Sequence, residues 1–230
     1  YHGGALYSND SNVTTTECVF VSNLTGNNGK GGAVTTENGS WHDANGTFTS
    51  TISVYQGGAV CWVDSTGSIR DSNFTGNSNT IHNGGGAIHI ENASPTISGC
   101  LFQNNAANAN LGGGGALRAD ATSVPVLTGN EFRYNSALSY GGAINMDSSQ
   151  QVVVSGGLFV GNHANEGGAF AAYGTNEITF TNCRFLGNEA NAAADSEGGV
   201  ALLANSANNS IFVNSVISGN KAYNRSGVFK

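Results

Sequence analysis

The chain has 230 residues, enough for one large domain or two small ones. Apolar residues make up 39%, so a sizeable core can form, whereas charged residues make up only 10% and the 34 glycines are about twice the ordinary share. The net charge of −7 argues against a nucleic-acid partner, which would need a basic stripe, and no apolar run reaches the ~18 residues of a transmembrane helix. The chain starts at Tyr1 rather than Met, which we read as a processed or excised piece of a longer protein.

Taken in order, the sequence is a repeat. Glycine pairs begin at Gly3, Gly31, Gly57, Gly85, Gly114, Gly141, Gly167 and Gly198, with a degenerate ninth copy at Ser226-Gly227-Val228. The step is 26 residues from Gly31 to Gly57 and 31 from Gly167 to Gly198. After each pair comes a short alternating run, as in Ala87-Ile88-His89-Ile90, whose first apolar residue should face inward: Leu6, Val34, Val60, Ile88, Leu117, Ile144 and Phe170. An acidic row follows near the end of this run: Glu37, Asp64, Glu91, Asp120 and Asp147. From the third unit on, a second inward column holds Ile69, Ile97, Leu127, Val154, Phe180 and Phe212. Next come Glu17, Asn45, Asp71, Gly99, Gly129, Gly156, Asn182 and Asn214; all but Glu17 tolerate a left-handed backbone and mark a turn. Three residues later stands an aromatic column, Phe20, Phe48, Phe74, Phe102, Phe132, Phe159 and Phe185, continued by Ile217. Three further on stand Asn23, Thr51, Asn77, Asn105, Asn135, Asn162, Asn188 and Asn220. The segment to the next glycine pair varies in length.

Helical repeats of this length carry Ala, Leu, Glu and Lys at 3.6 spacing; this one carries Gly, Asn, Ser, Thr, Val and Ile in short alternating runs. About three strands and three turns fit each unit, and the natural closure is a β-solenoid in which each strand pairs with its copy one coil on. The fold class predicted is an all-β, right-handed parallel β-helix of about eight three-strand coils. Residues 1–230 would form a single β-helix domain, either a segment of a longer protein or a subunit that stacks end to end. Stacked coils put like residues about 4.8 Å apart. The Phe column then forms a buried pile, each ring worth about 1.5–3 kcal/mol. The Asn column forms an amide ladder at a turn, each bond worth about 0.5–1.5 kcal/mol. The glycine pair serves a corner where stacked backbones approach closely.

Gly-Gly-Ala-[Ile/Leu/Val] paired with Phe-x-x-Asn over Gly3 to Val228 resembles the repeat of the chlamydial polymorphic outer membrane proteins. That resemblance implies an autotransporter passenger folded as a right-handed parallel β-helix, displayed at a cell surface and acting in adhesion. The C-terminal membrane barrel that the resemblance implies is not expected within these 230 residues.

Four chemistries are weighed against the repeat. Cys18, Cys100 and Cys183 share one slot three coils apart, roughly 14 Å, too far for a disulfide, so they are expected as free, buried, small apolar residues, with Cys61 unpaired on another strand. The acidic row Glu37, Asp64, Glu91, Asp120 and Asp147 is either a line of weak Ca²⁺ sites or a solvated turn edge. Catalysis has one candidate cluster: Arg118 projecting outward beside His89 and Asn145, near Asp120 and Asp147, on a face otherwise made of Tyr7, Thr35, Cys61, Ala171 and Leu202. The nine Asn-x-Ser/Thr sequons are close to the number that random order gives in a chain this rich in Asn, Ser and Thr. The expected function is therefore a secreted or cell-surface scaffold acting as an adhesin or fibre, with no catalytic residues and no cofactor beyond the weak Ca²⁺ row. Its partners would be a host or cell-surface protein or glycan, or copies of itself. The competing expectation is a polysaccharide lyase or hydrolase working on the first-strand face.

Overall fold

A computed structural model describes residues 2–109, 113–148, 151–174, 177–191, 197–204 and 210–223. Among them the strands form four eight-stranded sheets, every pairing parallel and every neighbour one coil away. We label them A to D in chain order. The coil that opens at Gly85 shows the pattern: Ile88–Glu91 in sheet A, Thr96–Ser98 in B, Leu101–Gln103 in C and Ala106–Ala107 in D. The eight-coil parallel β-helix expected from the repeat is the fold present. Each coil carries a fourth strand beyond the expected three, a two-residue step just after the Asn column. Strands that short leave little periodicity in the sequence, which is why they read as loop.

The corners explain the columns. Glu17, Asn45, Asp71, Gly99, Gly129, Gly156, Asn182 and Asn214 all have positive φ, between 46° and 64°, and turn sheet B into sheet C. A second left-handed corner falls one residue before the Asn column, at Ser22, Ser50, Gly76, Asn104, Tyr134, Gly161, Gly187 and Gly219. The Asn is therefore not itself the bent residue; the bend aims its side chain inward. Of each glycine pair, the first is fixed by conformation, as at Gly141 (φ 62°). The second is fixed by contact: a Cβ on Gly142 would overlap the carbonyl oxygen of Gly168 in the next coil.

The core is one continuous apolar column running up the axis. Phe20, Phe48, Phe74, Phe102, Phe132, Phe159 and Phe185 stack with ring centroids 4.5–5.0 Å apart and planes within 11° of parallel, which is the strand spacing imposed on the rings. The second column, Ile69 to Phe212, is in register across sheet B. In the first two coils that column departs from apolar. Asp43 occupies it, buried, accepting from Thr15 Oγ1 at 2.6 Å and Ser72 Oγ at 2.7 Å. Trp41 Nε1 donates to the same Thr15 hydroxyl at 3.1 Å. A carboxylate survives inside the rod there because both its oxygens are bonded.

Candidate functional site

Two polar systems run the length of the rod. The inner one is the Asn column. Asn77, Asn105, Asn135, Asn162 and Asn188 are fully buried. Asn105 is representative. Its Oδ1 accepts from Asn77 N at 3.0 Å and Asn77 Nδ2 at 2.9 Å; its Nδ2 donates to Asn135 Oδ1 at 3.0 Å and to Phe74 O at 2.9 Å. The pattern repeats to Asn220. Thr51 joins from below, its N and Oγ1 both donating to Asn77 Oδ1. Asn23 is a correction. It lies under Thr51, which has no amide to pass the chain down, and among the described residues no side-chain hydrogen bond ties Asn23 to the ladder.

The cysteine slot forms a second, mixed ladder: Ser72 Oγ accepts from Gly46 N, Asn130 Oδ1 from Cys100 N and Ser215 Oγ from Cys183 N. All four cysteines are free, with Cys61, Cys100 and Cys183 buried. Cys18, expected buried, is only partly so; it lies in the first coil described. Nor are the slot's thiols merely small and apolar. Cys100 Sγ donates to Ser98 O at 3.3 Å and Cys183 Sγ to Thr181 O at 3.4 Å. Burial pushes the Cys100 thiol up to about 12 and raises Cys183 as well.

The outer system lies on sheet A. The face holding Tyr7, Thr35, Cys61, His89, Arg118, Asn145, Ala171 and Leu202 is in register, but it is not an open groove. From Thr35 to Leu202 each of these residues is buried, including His89 (0% exposed) and Arg118 (7%). The chain before each glycine pair turns back over them. Its last residues form a thin parallel ribbon, His2 to Lys30 to Gln56 and Gly113 to Tyr140 to Glu166. Thr35 Oγ1 donates to Lys30 O at 2.8 Å, and the rings of Tyr140 and Tyr173 meet at 4.9 Å, closing ribbon onto sheet. Sequence spacing marked the face as outward, which it is; the overhanging ribbon could not be foreseen from segments of irregular length.

The acidic row is also corrected. Glu37, Glu91, Asp120 and Asp147 share one register position, but Val63 takes that position in the third coil. Asp64 falls one residue further on, at a left-handed corner (φ 48°), and leaves the row. The four remaining carboxylates face partners rather than one another. Tyr7 OH donates to Glu37 at 2.9 Å, Lys30 Nζ to Glu91 at 3.1 Å and Arg118 Nη2 to Asp147 at 3.2 Å, while His89 Nε2 lies 3.4 Å from Asp120. Like charges stacked at strand spacing are thus offset by a donor one or two coils earlier. Among the described residues no three His, Cys, Asp or Glu side chains converge as a metal site would need. The hydrogen bond to Glu37 raises the Tyr7 phenol, with burial adding to it. Burial works to lower Lys30, but Cys61, Glu91 and Glu37 outweigh it and the net direction is up. Because burial also drives the Cys61 thiol far up, it stays protonated, and the carboxylates are the operative partners at neutral pH.

Beneath the ribbon several buried atoms have no hydrogen-bond partner: both ring nitrogens of His89, Arg118 Nε, Asp120 Oδ1, Asn145 Oδ1 and Gln56 Oε1. Sequence reasoning brought His89, Arg118 and Asn145 together; it missed Lys30, Gln56, Tyr140 and Tyr173, whose only signal was a place just before the glycine pair or at the end of the first strand.

Four stacked parallel sheets wound about one axial core define a right-handed parallel β-helix. The chain belongs to the family described as the right handed beta helix region, which it matches over residues 50–228. No curated protein and no solved structure was found to match it. That family includes enzymes as well as proteins without catalysis.

Proposed function

We propose that the protein is an extracellular display scaffold, secreted or held at a cell surface, that binds a host or cell-surface protein or glycan through the outside of the rod and catalyses nothing. The observation that carries this reading is the closure of sheet A. Arg118 and His89, the bases on the face where a polysaccharide-cleaving site would lie, are both closed off: Arg118 is bonded to Asp147 and has 8% of its side chain exposed, and His89 has none. A sugar polymer has to lie along such a face and reach its base. What the rod does offer is a rigid stack of in-register sheets with the ends of its variable loops on one edge, the arrangement by which scaffolds carry recognition. The likeness of the repeat to adhesive autotransporter passengers points the same way.

The test is paired. Purified protein is incubated with pectin, alginate and chondroitin, with and without Ca²⁺, and separately titrated onto immobilised cell-surface proteins and glycans. Saturable binding without turnover is expected. Turnover that is lost in Arg118→Ala and partly kept in Arg118→Lys would overturn the scaffold reading in favour of an enzyme.

A further inference from the structure

We propose that the edge where the ribbon meets the end of the sheet A strands docks a cationic protein segment, one that lays lysine or arginine side chains along the rod. The inference rests on the display reading above and names the partner class for it. Three observations point there. The first is charge. Glu37, Glu91, Asp120, Asp147, Glu166 and Glu197 lie on this edge against Lys30 and Arg118, six carboxylates to two fixed cations, so the strip holds −4 of the chain's −7. The second is what the strip already does with cations of its own chain. It seats the Lys30 ammonium on Glu91 and the Arg118 guanidinium on Asp147, while Asp147 keeps 55% of its side chain exposed. The third is unmet acceptor capacity. Asn145, 2% exposed, leaves Oδ1 unpartnered, and Asp120 Oδ1 and Gln56 Oε1 are in the same position. They lie beside the unpartnered His89 ring nitrogens and Arg118 Nε, so the seam under the ribbon is short of partners of both kinds, and an N–H group that enters it would find an acceptor.

Aromatic faces complete the chemistry. Tyr7 lies at one end of the strip, 47% exposed, and Tyr140 and Tyr173 form a pair near Glu166 and Glu197 at the other. Ammonium and guanidinium groups bind such faces, which an anionic or neutral glycan does not exploit in the same way. The charged residues stand at strand spacing along the axis, about 4.8 Å per coil, so an extended segment laid along the rod would carry its cations past successive carboxylates.

The probe is a ten-residue oligolysine peptide, with oligoglutamate and dextran as controls, titrated onto the immobilised protein at low salt and at about 300 mM NaCl. Two double variants raise the net charge equally: Asp147→Asn with Glu166→Gln on the strip, and Glu17→Gln with Asp71→Asn at the corner between sheets B and C, away from it. Oligolysine should bind wild type, bind about tenfold more weakly to the strip variant, and change about twofold or less with the off-strip variant. Equal weakening by both pairs would reduce the effect to net charge and overturn the proposal, as would no oligolysine binding at all or equal binding of dextran. If the strip variant unfolds early, carbodiimide labelling of wild type substitutes: oligolysine should protect Asp147 and Glu166 and leave Asp71 reactive. The two readings fail separately. Cell-surface binding that survives the strip variant and oligolysine competition sinks the strip alone; strip-dependent oligolysine binding without cell-surface binding sinks the display role alone.

Discussion

Replacing Asn135 by Ala tests whether the amide ladder holds the coils together. The side chain is fully buried and makes four hydrogen bonds: Nδ2 to Asn162 Oδ1 and to Phe102 O, each 3.0 Å, and Oδ1 from Asn105 N and Asn105 Nδ2, each 3.0 Å. The losses are unequal. Asn162 Oδ1 still accepts from Asn135 N, and Asn105 Nδ2 still donates to Phe74 O. The Asn105 backbone N–H loses the amide that receives it and is left buried, at about 1–3 kcal/mol. The remaining three bonds contribute about 0.5–1.5 kcal/mol each and overlap in effect, so the loss should be roughly 3–5 kcal/mol. In a chain of this size that lowers the melting temperature by roughly 6–20 °C. Asn108→Ala, at an exposed position just past the short strand that follows Asn105, should change stability by less than about 0.5 kcal/mol. Urea unfolding followed by circular dichroism measures both. Midpoints for the two variants that agree within error would refute the ladder as a source of stability. Asn135→Asp sharpens the test: it keeps both acceptor bonds but puts a carboxylate oxygen against Asn162 Oδ1 and Phe102 O. It should be at least as damaging as Ala, whereas a ladder that mattered only for volume would tolerate it.

Further outcomes follow from the same geometry. Under native conditions near pH 8 a thiol reagent should label Cys18 and spare Cys61, Cys100 and Cys183, which should react only on unfolding; fast labelling of Cys100 in the folded protein would contradict its burial. Burial raises Cys100 to about 12 from an ordinary thiol near 9, so the folded chain keeps a proton that the unfolded chain releases. The stability this thiol contributes is present below about pH 9 and is lost as pH rises from 9 toward 12; Cys100→Ser should flatten that alkaline decline in urea midpoints taken across the range. Gly142→Ala should cost more than about 1–3 kcal/mol, because its Cβ meets backbone of the neighbouring coil at Gly168 and His163, which has no side chain to move aside. A melting point equal to wild type would mean the coils can separate at that corner.

How much of this was legible in the sequence depended on whether a position is set by its own coil or by its neighbours. The Phe and Asn columns were readable because stacking selects the same residue at every level, so register shows as repetition. The corner at Glu17 was partly hidden, since an acid there has no intrinsic reason to adopt φ 54° and does so only because the coil above imposes it. Asp64 was placed in the acidic row by residue type; counting from the glycine pair puts Val63 there, and the strand register agrees with the count. The fourth sheet and the ribbon over sheet A left almost no trace, for their strands are one or two residues long and their loops differ in length from coil to coil.

That difference between legible and hidden parts bears on function. In a solenoid the residues that repeat are those whose environment repeats, namely the axis and the corners, and these make the rod stiff without making it specific. Specificity has to sit where the repeat is broken. On this chain the sharpest break is the outward column of sheet A, which passes through Thr, Cys, His, Arg, Asn, Ala and Leu in seven consecutive coils while the residues to either side stay nearly constant in type. Packing alone does not require that variety, since the Ala and Leu at its upper end are as well buried as the His and Arg in its middle. A charged and half-satisfied stretch is kept under the ribbon at a cost that an apolar column would avoid. The same stretch borders a run of carboxylates, Glu37, Glu91, Asp120 and Asp147, and the cationic-segment inference rests on that coincidence.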